Sequence, residues 1–198
     1  MLGIFLDTET NGLDVKIHKI LEIAFKIVDV LDGSTVAAFS RLVAITPQDW
    51  EKSDRASLHV NGLSWEKVSQ GFAREAVAHD IKSLFLLHDI VRGEAVFICQ
   101  NPSFDRAFFS QLIDIQTQEA MQLPYHWLDL ASMYWSYSMQ RANEKKGPFP
   151  WETGFTKDKI AAHFHLPSEE HPHKAMQGVD HLLRCYKAVV GFPTQKSL

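Results

Sequence analysis

The stretch FLDTET, residues 5 to 10, sets Asp7 and Glu9 one residue apart behind an apolar run. In an extended chain alternate side chains share a face, so the two carboxylates stand side by side while Thr8 points the other way. Adjacent anions repel, and a lysine, an arginine or a metal ion is expected between them. A third acid, Asp105 in QNPSFDRAFF, follows an apolar run ending at Gln100 and opens a helix. Strand ends are where sites gather in α/β sheets, although an acid in a first helical turn is also favoured by the backbone dipole alone. Farther on, HPHKAMQGVDHLL places His173 at a loop-to-helix junction and Asp180 seven residues later, with His171 as a nearby alternative to His173. Carboxylates and an imidazole are groups for cation binding and proton transfer. The chain has ten histidines, so His173 needs a reason beyond its residue type.

The elements that must position these groups follow from hydrophobic periodicity. The runs LGIFLD, KILEIAFKIVDV and STVAAFSRLVAI are rich in Ile, Val and Phe and are punctuated by Asn11-Gly12 and Asp32-Gly33, which predicts three consecutive strands joined as antiparallel hairpins. After residue 45, SWEKVSQGFAREAVAHDIKSLFLLHDIV has helical spacing and leads into EAVFICQN, a fully apolar run that suits a buried strand. FDRAFFSQLIDIQTQEAM reads as a helix, HWLDLASMYWSYSMQ as a short strand feeding a helix, and TKDKIAAHFHL and HKAMQGVDHLLRCYKAVV as two more helices. The two loops of note are RANEKKGPFPWETG and HLPSEEHPH. The sum is an α/β fold with mixed strand directions.

With 198 residues the chain suits one domain, expected over residues 1–190, with 191–198 as a C-terminal tail. An apolar share of 45% and a charged share of 22% exclude disordered, coiled-coil and membrane classes. The net charge of -4 gives no global basic signature, so contact with nucleic acid must rest on a local patch or on bound cations. Cys99 and Cys185 match neither a disulfide framework nor a zinc spacing. The start MLGIFLDTE carries no basic leader and predicts neither a signal peptide nor a spanning helix, which makes the cytoplasm the expected compartment.

FLDTETNGL, NPSFDRAFF and HKAMQGVD, in this order, resemble the three exonuclease motifs of the DEDDh family, the DnaQ-like 3'-to-5' exonucleases. The resemblance runs from Ile4 to about Leu183, and its most specific piece is the apolar strand followed by D-x-E-T and a glycine turn ending in leucine. Lesser echoes are Glu22, NGLS at 61–64 and LDL at 128–130. It implies a ribonuclease-H-like fold, a central mixed five-stranded sheet flanked by helices. It also implies two divalent cations held by four acids, with a histidine as base. Carried over by motif, Asp7, Glu9 and Asp105 are metal ligands and His173 is the base. Thr10 and Leu13 then fall where the family contacts the terminal nucleotide, with Asn101 and Phe104 nearby as further candidates. For Leu13 and Phe104 ordinary packing, and for Asn101 helix capping, would explain the residues equally well.

The sequence departs from the family at the last acid. Its aspartate stands five residues after the histidine, where this chain has Gly178, and the next acid is Asp180. Two residues turn a helix by about 200°, so Asp180 reaches the site only if the helix starts differently or His173 comes from a longer loop. With no other acid between Glu170 and the C-terminus, Asp180 is the expected fourth ligand. An all-carboxylate ligand set selects Mg²⁺ or Mn²⁺ over zinc. The implied activity is hydrolysis at single-stranded or frayed 3' ends of DNA or RNA. The resemblance leaves a polymerase or a second copy of the chain open as partner. Aromatic residues in FPW at 149–151 and WSY at 135–137 are candidates for stacking on bases. The Gly178 departure motivates the alternative, a non-catalytic nucleic-acid-binding or protein-interaction module on the same fold.

Overall fold

A computed structural model describes residues 1–194. Five strands, β1 (Leu2–Thr10), β2 (Ile20–Asp29), β3 (Thr35–Leu42), β4 (Ala95–Cys99) and β5 (Trp127–Asp129), form one sheet in the order β3-β2-β1-β4-β5. The first three are antiparallel neighbours, whereas β1, β4 and β5 run parallel. Around them lie α1 (Pro47–Trp50), α2 (Arg55–Asn61), α3 (Trp65–Val68), α4 (Arg74–Leu87) and α5 (Pro102–Phe109). Next come α6 (Ile115–Ala120), α7 (Leu130–Asn143), α8 (Pro150–Thr153), α9 (Lys157–His163) and α10 (Ala175–Val189). This is the mixed five-stranded sheet flanked by helices that the resemblance implies.

Strand alternation divides the core in two. Ile4 and Leu6 of β1 pack with Phe97, Phe108 and Phe109 on the α4–α5 side. Phe5 joins Tyr134, Ile160, Val179 and Leu182 on the α7–α9–α10 side, with its ring edge-on to Tyr186. β1 and β4 are buried on both faces, and this is why their sequences read as continuous apolar runs.

Two long helical patterns are interrupted. The pattern over 64–91 is split because Phe72 lies extended beside β3: its N–H donates to the Leu42 carbonyl and its own carbonyl accepts from Ala44. Gly71 permits that approach, since a Cβ there would lie 2.9 Å from the Ala44 nitrogen. The second pattern stops after Phe109 and restarts at Ile115, where Asp114 caps the new helix by accepting from the Thr117 N–H. The segment expected as a tail from residue 191 is packed through Thr194: Phe192 is buried against Tyr186, and the Thr194 N–H donates to the Leu31 carbonyl. Residues 195–198 lie outside the described residues. Cys99 and Cys185 are both free and buried. Among the described residues no helix is long and apolar enough to cross a membrane.

Candidate active site

The carboxyl ends of β1, β4 and β5 point to one edge of the sheet, and the acids gather there. Asp7 and Glu9 share the face of Phe5, toward α10, as a two-residue strand period requires. Thr8 faces the other way and has a use: its hydroxyl donates to Asp105 Oδ1 at 2.9 Å, aiming the carboxylate that α5 carries. Glu22 stands opposite Glu9 on β2 and accepts the Ala175 N–H, the first amide of α10, at 3.1 Å. That bond fixes where α10 begins.

The loop before α10 is tied down as well. The His173 N–H donates to the Val60 carbonyl at 3.0 Å, and the neighbouring Asn61 donates its side-chain amide to the Thr10 carbonyl at 3.0 Å. Val60 and Asn61, at the end of α2, thus clamp the end of β1 and the His173 loop together. His173 is near enough to lower the pKa of Asp7, and its Nε2 is buried with no hydrogen-bond partner. His171 stacks on His173 from the exposed side, with ring centroids 4.6 Å apart.

Asp7, Glu9, Asp105 and His173 are brought together; Asp180 is not. With the start of α10 fixed at Ala175, position 178 faces Asp7, and a Cβ on Gly178 would lie 2.2 Å from Asp7 Oδ2. Asp180 lies about 200° around the helix and pairs with Lys26 of β2. The expectation that Asp180 is the fourth ligand is therefore corrected: the helix keeps its register, and glycine occupies the fourth place.

Two residues that sequence reasoning missed complete the cluster. Lys157, the first residue of α9, donates to Asp7 Oδ1 at 3.0 Å and pairs with Glu169 Oε2 at 3.2 Å. Glu169 comes from the loop before α10, is almost wholly buried, and leaves its Oε1 without a partner. The signal available in the sequence was indirect, since the crowd of acids demands a cation and a lysine was one of the options.

Burial raises the pKa of Asp7, against the pull of Lys157. Burial and then the nearby Asp7 push Asp105 well above the carboxylate range and push Glu9 up to about 8. Burial alone would lower Lys157, but Asp7 and Glu169 outweigh it and raise its pKa. The cluster thus crowds more carboxylates together than one ammonium offsets, and burial favours the protonated form of Glu9 and Asp105 above all.

A divalent cation would relieve this excess, and the all-oxygen donor set suits Mg²⁺ or Mn²⁺. As the side chains lie, no three Asp, Glu, His or Cys groups among the described residues are arranged to hold a metal ion, with Asp7 turned to Lys157. The donors fit in chemistry, then, but only Asp7, Glu9 and Asp105 stand at the family positions.

A pH dependence follows. Between the ordinary 4.5 and about 8 the folded chain binds a proton on Glu9 that the unfolded chain has lost. The associated stability is full below 4.5 and disappears as the pH rises through 8, a change on the order of a few kcal/mol at about 1.4 kcal/mol per pKa unit. In EDTA, the Tm of the wild type is expected to fall relative to that of Glu9→Gln between about pH 5 and about pH 8.5. A constant gap between the two would contradict the shift.

The sequence profile of a family described as exonuclease matches residues 4–184. The chain belongs to the exonuclease family. Among solved structures it resembles cell-death related nuclease 4, at 12% identity and a TM-score of 0.71, over 96% of this chain and 63% of that one. It also resembles E. coli exonuclease I in complex with a dT13 oligonucleotide, at 14% identity and a TM-score of 0.69, over 96% and 41%. A third likeness is to a 3'-exonuclease that recognises the 3' end of the histone mRNA stem-loop, at 12% identity and a TM-score of 0.66, over 97% and 65%. At such identities the likeness is one of fold, and this exonuclease-family chain spans between 41% and 65% of the length of those proteins. No curated protein matches it.

Proposed function

We propose that the chain is a 3'-to-5' exonuclease acting on single-stranded or frayed ends of DNA or RNA and releasing nucleoside 5'-monophosphates. The observation that carries this reading is the convergence of Asp7, Glu9 and Asp105 beside the buried, partnerless Nε2 of His173. Asp7, Glu9 and Asp105 would hold the divalent cation. When bound, such an ion supplies Lewis-acid stabilisation of charge on the phosphodiester and its leaving oxygen. His173 Nε2 takes the proton from the attacking water, which stands in line with the departing 3'-oxygen. Thr8 keeps Asp105 aimed, and Glu22 with Asn61 keeps His173 over the acids.

Thr10, Leu13, Asn101 and Phe104 would meet the terminal nucleotide. Leu13 is 73% exposed just past β1, too open for a packing role. Asn101 makes no side-chain cap bond to α5 and holds a left-handed backbone, its N–H donating to Asp129. Phe104 packs partly on Phe108, and the Thr10 hydroxyl is taken by the Gly12 carbonyl, so Thr10 would act through its backbone.

A second reading, binding without cleavage, is favoured by the lysine on Asp7 and by Gly178. Incubation of 3'-labelled and 5'-labelled strands with Mg²⁺, Mn²⁺ or EDTA separates the two. Stepwise metal-dependent shortening from the 3' end supports the exonuclease, and retention of the intact strand without cleavage supports the binding module.

Beyond the acids, Trp135, Phe149, Trp151 and Phe155 form an exposed aromatic group, with the Phe149 and Trp151 rings stacked 4.6 Å apart. Gln100 at the end of β4 donates to the Phe155 carbonyl, tying the group to the acid-bearing sheet edge. Stacking on such rings is worth about 1–3 kcal/mol per base. Trp151→Ala is expected to raise the KM for a long single strand about tenfold or more and to leave that for a dinucleotide near the wild type. An equal effect on both substrates would remove Trp151 from the strand path.

A further inference from the structure

Resting on the proposed function, the geometry points to Lys157 as a built-in replacement for one of the two cations, so that each chain binds a single divalent ion. In the two-ion arrangement that the resemblance implies, a fourth carboxylate stands five residues after the histidine, where this chain has Gly178. There the helix backbone is pressed so closely on Asp7 that even a methyl group at position 178 would lie 2.2 Å from Oδ2. On the other oxygen of the same carboxylate sits the Lys157 ammonium, 3.0 Å from Oδ1. That ammonium is itself held by Glu169, whose side chain is 3% exposed and whose Oε1 is buried without a partner.

The arrangement is a permanent one on energetic grounds. Removing one member of a buried ion pair strands the other charge, so Lys157, Asp7 and Glu169 hold one another in place. A divalent ion on Asp7 Oδ1 would have to evict the ammonium and then face it at close range, where like charges repel strongly in a water-poor site. Asp7, Glu9 and Asp105 would hold one ion with the ammonium left in place. Lys157 then supplies, as a fixed point charge, part of the positive field that a second ion would otherwise bring to the phosphate.

The test is a count of ions on the folded protein, by calorimetric titration with Mn²⁺ and by the electron paramagnetic resonance of free Mn²⁺. One Mn²⁺ per chain is expected for the wild type and for Lys157→Arg. Lys157→Met frees Asp7 Oδ1 and Glu169 Oε2, beside the already unpartnered Glu169 Oε1, and should take up a second ion, raising the count from one to two. None or two on the wild type overturns the inference, as does a single ion on Lys157→Met that retains the wild-type circular dichroism. Should the Met variant fail to fold, the wild-type count still decides. A chain that bound one ion but cut no nucleic acid would end the proposed activity and leave this inference intact.

Discussion

Asp7→Asn is expected to lower exonuclease turnover about a thousandfold or more, because on the proposed reading one carboxylate would serve the cation while it also meets the Lys157 ammonium and the approach of α10. Asparagine keeps the shape, so the helix still finds Asp7's outline below position 178. It also keeps a carbonyl oxygen for Lys157 to meet, although the bond loses its charge assistance. The protein should therefore remain folded, with a Tm close to the wild type, while Mn²⁺ binding weakens. Wild-type turnover in a purified Asp7→Asn preparation would remove Asp7 from the chemistry. The variant also controls for contaminating nuclease, since activity independent of residue 7 cannot come from this site.

The second large effect is expected at a residue with no side chain. Gly178 lies inside α10 with a helical backbone, so it needs no glycine for its own conformation, and a glycine there costs about 1 kcal/mol against alanine. The close approach of Asp7 is the reason for it. In Gly178→Ala the new methyl would stand 2.2 Å from Oδ2 and 2.6 Å from the carboxyl carbon, and Asp7 must rotate away because the helix is anchored at its start by Glu22. Activity should fall about a hundredfold or more, the range seen when one charge-stabilising group is misplaced. Stability should fall by a few kcal/mol, since the roughly 1 kcal/mol that the helix gains from alanine does not offset the disturbed, buried Asp7–Lys157 pair. Near-normal kcat in a folded Gly178→Ala would show that the carboxylate has room to spare, and the geometric account of the missing fourth ligand would fail.

Much of this site is legible in the sequence because it rests on short-range rules. The pairing of Asp7 with Glu9 follows from the two-residue period of a strand, and the mixed sheet follows from three hairpin-like runs succeeded by a helix and a fully apolar run. The motif order that places Asp105 and His173 is likewise written along the chain. What local rules could not supply is the register of α10. Counting acids favoured Asp180, whereas the Ala175–Glu22 bond, between residues 153 apart, fixes the helix start and turns Asp180 to Lys26.

By itself, then, the chain determined the α/β order, the acid pair and the convergence expected of the three motifs, since strand and helix periods are local properties of successive residues. Only the tertiary structure decided which charge answers Asp7 and what stands in the fourth acid's place. The partners in that decision come from the far end of the chain: Lys157 and Gly178 meet Asp7, and Glu169 holds Lys157. A buried ion pair or a close contact exists only once distant segments have packed, and no pattern along the chain encodes it.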